Sequence, residues 1–177
     1  MFAEPLPVQG HRRHLAALDA LDLMPEVLRS IGFDPAPADE EFTARCQGAL
    51  DIVQHDLDVT GCGQYQMRAR IGRGWPATVF ATLPDGSYWS GGGGMSRRQD
   101  GSWLLVTAAD SVSATLKEVH EFEWPVCAVH GGHPKTSIWD GEEPVDLIDK
   151  VAWWRCTNTG HALAPVGQLT SKIAKTL

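Results

Sequence analysis

Between residues 42 and 57 the apolar positions recur at helical spacing. Phe42, Cys46, Ala49, Leu50, Val53 and Leu57 are separated by four, three, one, three and four residues, which predicts a helix with one buried face. Asp39, Glu40 and Glu41 fall in its first turn, where negative charge favours the helix dipole, and Thr60-Gly61-Cys62-Gly63 ends it. Upstream, Leu15, Leu18 and Leu21 follow a His11-Arg12-Arg13-His14 cluster at the same kind of spacing. Val27, Leu28 and Ile31 line a further short face between Pro25 and Gly32. Asp34-Pro35-Ala36-Pro37 reads as a linker, because each proline biases its predecessor away from helix. Residues 1–60 are therefore expected to form an N-terminal helical segment.

The period then changes to two. Tyr65, Met67, Ala69 and Ile71 share one face and Gln66, Arg68 and Arg70 the other, which predicts a half-buried strand. Ala77 to Leu83 is apolar on both faces and predicts a more central strand. Pro84-Asp85-Gly86 should turn it into Ser87-Tyr88-Trp89, and Gly91 to Gly94 should form a flexible break. Asp100-Gly101 predicts a second hairpin, with Trp103 to Thr107 as its returning strand. Residues 110–124 fit both periods, and the reading adopted is a short helix feeding an extended Glu121-to-Val126 stretch. A last strand is expected from Val151 to Arg155, followed after Thr170 by a short cationic tail. Helices followed by strands argue for an α+β fold. Its expected parts are the helical segment 1–60, an antiparallel β-meander of roughly four or five strands in the region 61–123, and a C-terminal module over 124–177, together one compact domain.

Composition changes this picture little. The chain has 177 residues, of which 43% are hydrophobic and 21% charged, as in an ordinary packed protein. Charge is more informative. The net value of −7 argues against broad binding to nucleic acid or anionic membranes. It is unevenly spread, with 4 basic against 11 acidic residues in 1–60, 6 against 3 in 61–117, and 5 against 8 in 118–177. The start, MFAEPLPVQG, has neither the cationic nor the apolar region of a signal peptide, and no apolar run is long enough to span a membrane. A reducing, cytoplasmic location is the expectation, with the four cysteines as thiols.

Chemistry concentrates near the C-terminus. WPVCAVHGGHP and WWRCTNTGH supply Cys127, His130, His133, Cys156 and His161, and thiolate with imidazole is the donor set of a tetrahedral zinc site. The spacing Cys127-x2-His130 lets one tight turn present two ligands, Gly131 and Gly132 would let His133 reach inward, and Cys156 would close the site from a distant segment. Five candidates compete for four places. One set is Cys127, His130, His133 and Cys156; the other replaces His133 with His161. The bland alternative is that these are core thiols and surface imidazoles.

The stretch from Trp124 to Leu169 resembles the C-x2-H-x2-H-P … W-x-C … V-G-x-L ending of small uncharacterised actinobacterial proteins. It is matched at Cys127, His130, His133, Pro134, Trp154, Cys156, Gly160, Val166, Gly167 and Leu169. The resemblance implies a zinc-ribbon-like module with a structural metal and brings no activity with it. It departs from the pattern at Ala128 and Thr157, where a proline usually follows each cysteine. His161 lies outside the shared pattern, so the resemblance favours His133 as the fourth ligand.

Other chemistries find no support. HExxH is absent, and His120-Glu121-Phe122-Glu123 with Cys127-x2-His130 fails the deaminase pattern. Gly91 to Gly94 lacks the Lys-Ser/Thr of a P-loop, and no G-x-S-x-G elbow occurs. Cys46 reads as core. Arg68, Arg70, Arg73, Arg97 and Arg98, interleaved with Trp75, Tyr88, Trp89 and Trp103, offer a partner-binding strand face. Guanidinium and aromatic groups on a sheet can grip single-stranded nucleic acid, a use the acidic flanks disfavour. The expected function is that of a non-enzymatic, metal-stabilised interaction protein, an adaptor or an inhibitor of the immunity type, whose partner is another protein. A zinc-dependent hydrolase with an open metal position and a nucleic-acid-binding module are the alternatives.

Overall fold

The stripe from Phe42 to Leu57 forms the helix it predicts. In the computed structural model, which describes residues 40–72, 75–89, 94–139 and 151–175, α1 spans Glu40–Val59 and buries that whole stripe. The helices expected around Leu15–Leu21 and Val27–Ile31, and the linker at 34–37, lie outside the described residues. Arg68–Gly72 (β1), Trp75–Thr82 (β2) and Met95–Ser96 (β3) make an antiparallel sheet in the order β1-β2-β3. The strand read as apolar on both faces is thus the central one. Two α1 side chains secure the approach to β1 and its edge: Gln47 accepts from the Ala69 N–H (2.9 Å) and Gln54 from that of Met67 (3.2 Å).

The segment expected to return as a strand at Trp103 to Thr107 is instead the start of a second helix, α2, spanning Gly101–His120. Asp100 does not turn a hairpin. Its carboxylate accepts from the Trp103 N–H at 2.9 Å, which makes it the N-cap. Leu104, Val106, Ala108, Ala109, Ser111, Val112, Ser113, Thr115 and Leu116 are all buried, because α2 packs against α1, β2, β3 and two later strands, Pro134–Trp139 and Val151–Cys156. A helix covered on several sides loses the one-sided period that marks an amphipathic one. That is why its first turns read as an apolar strand. The helix ends at Glu121, whose φ of 54° is left-handed.

Ser87 to Trp89 likewise forms no strand. The turn at Pro84 to Gly86 closes on the bond from Leu83 N to Ser87 O (2.9 Å), and Trp89 then donates its N–H to Thr115 of α2 (3.3 Å).

The C-terminal third adds two further antiparallel sheets. Pro134–Trp139 (β5), Val151–Cys156 (β6) and Ala162–Pro165 (β7) pair in the order β5-β6-β7. Val126–Cys127 (β4) pairs with Ala174–Lys175 (β8). One hydrophobic core runs through α1, α2, the β1-β2-β3 sheet and the β5-β6-β7 sheet, and includes Trp124 and Trp154. The fold is α+β, with α2 in the middle.

Trp124 and Trp154 meet edge to face at 5.4 Å, and hand their indole N–H groups to the residue just after α1 and to its last turn. Trp124 donates to Thr60 Oγ1 and Trp154 to Asp56 Oδ2, each at 2.8 Å. Asp56 also accepts from Gly167 N (2.7 Å, Oδ2) and Leu169 N (2.8 Å, Oδ1) and has no solvent exposure. Burial pushes its pKa above the ordinary carboxylate range, and these three donors pull the other way. Gly167 sits at φ 90°, and a Cβ there would run into Ile52 of α1. The Trp, Val-Gly-x-Leu and Trp-x-Cys positions noted in the sequence are thus the contacts that fasten the C-terminal third to the first helix.

Candidate metal centre

Two turns carry the candidate ligands, and they are built alike. In the first, Gly131 N donates to Cys127 O (2.9 Å) and Cys127 N to Gly132 O (2.9 Å), with Gly131 at φ 63°. In the second, Gly160 N donates to Cys156 O (2.7 Å) and Cys156 N to His161 O (3.0 Å), with Gly160 at φ 73°. Each left-handed glycine folds the chain back so that the preceding residues surround the cysteine sulfur. The turns are laced together. Thr157 Oγ1 donates to His133 O (2.6 Å) and Asn158 Nδ2 to His130 O (3.3 Å). A Cβ at Gly132 would stand 2.7 Å from the Asn158 side chain, so that glycine makes room for the second turn.

Cys127, His130 and Cys156 form a group that could hold a metal ion, their ligand atoms all lying within 4.8 Å of one another. Both cysteines are buried and His130 is exposed. His130 Nδ1 is 3.6 Å from Cys127 Sγ and 3.9 Å from Cys156 Sγ. A tetrahedral ion bound at about 2.3 Å by sulfur and about 2.0–2.1 Å by imidazole nitrogen sets a sulfur–nitrogen edge of about 3.6 Å. The residues fit such an ion. At Cys156 burial pushes the thiol pKa up, but the N–H groups of Asn158 and Thr159, the Thr159 hydroxyl and Cys127 outweigh it, so the net shift is downward, toward the thiolate that binds metal.

The two rival fourth ligands are placed differently. His133 stands outside the group. It precedes β5, and its Nδ1 is buried without a hydrogen-bond partner. Desolvation lowers its pKa, and Glu123, Lys117, Lys135 and Asp110 are the charges that act on it. His161 is not one of the three mutually close residues either, but its ring centre lies 5.0 Å from that of His130. Its Nδ1 is 2.7 Å from Thr159 Oγ1.

The other two cysteines, Cys46 and Cys62, are not disulfide-bonded and lie in the core, and burial raises the Cys46 thiol to about 11. Arg68 and Arg70 are exposed on β1, whereas Arg97 and Arg98 are exposed in the turn after β3, across the central strand. Trp75 begins β2, Trp89 is partly buried on α2, and Trp103 lies in the first turn of α2, 49% exposed. The arginine–tryptophan set is distributed over a sheet and a helix rather than one strand face. No helix among the described residues is long and apolar enough to cross a membrane. Comparison with protein-family models, with curated proteins and with solved structures finds no match to this chain.

The like construction of the two turns was not visible to spacing alone. Its signal in the sequence is the glycine four residues after each cysteine, Gly131 and Gly160.

Proposed function

We propose that the chain is a non-enzymatic protein, stabilised by one structural zinc ion, that acts by contact with another protein in the reducing cytoplasm. The observation that carries this reading is the Cys127–His130–Cys156 group, whose donor chemistry and edges suit Zn²⁺. Its position supports a structural role, since an ion there would join the turn after β4 to the turn after β6. Four cysteines outside any disulfide suit a reducing compartment. Val129, 76% exposed between two ligand residues, offers a partner an apolar contact at the tip of the first turn.

Elemental analysis of protein purified without added metal or histidine tag tests it. One zinc per chain is expected, lost in Cys127→Ser and Cys156→Ser. A site filled at 100 times its dissociation constant contributes about 2.7 kcal/mol. Its loss should lower the melting temperature by about 5–10 °C in a chain of this size. Val129→Asp should keep metal and melting temperature while weakening partner capture. Sub-stoichiometric metal in a stable wild-type protein sinks the reading.

A further inference from the structure

The hydrogen bonds of the two turns superpose residue by residue. Cys127 matches Cys156, Gly131 matches Gly160, and Gly132 matches His161. By the same count His130, the residue before the first left-handed glycine, matches Thr159. Where the first turn presents an imidazole, the second holds a hydroxyl. Thr159 does not act alone, however. Its Oγ1 stands 2.7 Å from His161 Nδ1, so it holds the next imidazole along the chain.

We propose that His161, oriented by Thr159, is the fourth ligand of the Cys127–His130–Cys156 site, through Nε2. The proposal rests on that site being a metal site. Two imidazoles bound to one tetrahedral ion at about 2.0–2.1 Å have their ring centres about 5 Å apart. The His130 and His161 rings are 5.0 Å apart and inclined at 67°. With Nδ1 engaged by the threonine hydroxyl, Nε2 is the nitrogen left to bind. That division of labour, one ring nitrogen on the metal and the other held by an oxygen, is the usual way a ligating histidine is fixed. His133 is separated from this arrangement. Its backbone carbonyl holds Thr157, and its Nδ1 is buried without a hydrogen-bond partner.

The test is cobalt(II) and zinc(II) titration of full-length wild type, His161→Ala, His161→Gln and His133→Ala, read by the visible cobalt spectrum and by competition with a chromophoric chelator. The wild type should give a tetrahedral cobalt spectrum that added imidazole leaves unchanged. His161→Ala should still bind one ion, at least about 100-fold more weakly, with an altered spectrum that added imidazole shifts back. His161→Gln should resemble His161→Ala, and His133→Ala the wild type. The proposal is overturned if both His161 variants keep wild-type affinity and spectrum, or if wild-type cobalt protein itself takes up imidazole, which would mean an open position. It is equally overturned if His133→Ala shows the loss. A wild type that binds no cobalt or zinc defeats the underlying site instead, so the two failures read differently.

Discussion

Asp56 carries more of the structure than its single charge suggests. Three N–H donors end on a carboxylate with no exposure, two of them from the turn at Gly167 to Leu169. Asp56→Ala would leave all three buried without an acceptor. Each such loss costs roughly 1–3 kcal/mol, and the expected total is about 3–5 kcal/mol, measured by chemical denaturation. A change below about 1 kcal/mol would mean the donors find other partners. His133 gives the molecule a pH dependence of its own. Desolvation holds its native pKa below the unfolded value near 6.5. The unfolded chain therefore takes up a proton first as the pH falls. Stability from this group is full above about pH 6.5 and is lost as the pH drops toward the lower native value. Chelator-treated protein should lose stability over that window and His133→Gln should lose less. Equal slopes for the two would remove His133 as the cause. Neither role was legible from the sequence. Asp56 lies on an otherwise apolar stripe with nothing to announce its distant donors, and the spacing of His133 says nothing of its burial outside the Cys127–His130–Cys156 group.

The elements were readable where one face is buried and unreadable where several are. The stripe from Phe42 to Leu57 gave α1 within two residues at each end, because that helix turns one side to the core. The apolar run at Ala77 to Leu83 gave the central strand β2 for a similar reason, since a strand with neighbours on both edges has little solvent to face. Helix α2 defeated the same reasoning, because five elements surround it and its Asp-Gly start imitates a hairpin turn. The end of α2 carries a prediction. Glu121 occupies a left-handed conformation at φ 54°, where a side chain is disfavoured and glycine is not. Glu121→Gly should stabilise the protein by about 0.5–1 kcal/mol, seen as a raised denaturation midpoint. A lowered midpoint would show that the glutamate side chain contributes more than its backbone costs.

For the whole molecule, the division into a helical part, a sheet and a metal module describes the chain but not the packing. Trp124 and Trp154, which flank the candidate ligands in sequence, belong to the same core as α1 and α2. Removing metal should therefore lower the temperature of one cooperative transition, rather than release the C-terminal third on its own. Calorimetry with and without chelator reads this directly, and a separate low-temperature transition would contradict it. The candidate site was half legible: spacing pointed to Cys127, His130 and Cys156, and the fold brings those three together. The remaining position depended on how two turns face each other across β5 and β6, which no spacing within either turn encodes.

The bond between Asp56 and Leu169 spans 113 residues, and that span also orders events during synthesis. At about 5–20 residues per second, on the order of 10 s separate the appearance of the carboxylate from that of its last N–H partner. Through that interval the aspartate must keep its water, and the apolar stripe around it has no finished seat. The C-terminal end of the first described helix is thus among the last parts to be sealed. Until the Gly167–Leu169 turn leaves the ribosome, the Asp56 end of that helix lacks its last cover, although α2 and the first sheet are already made.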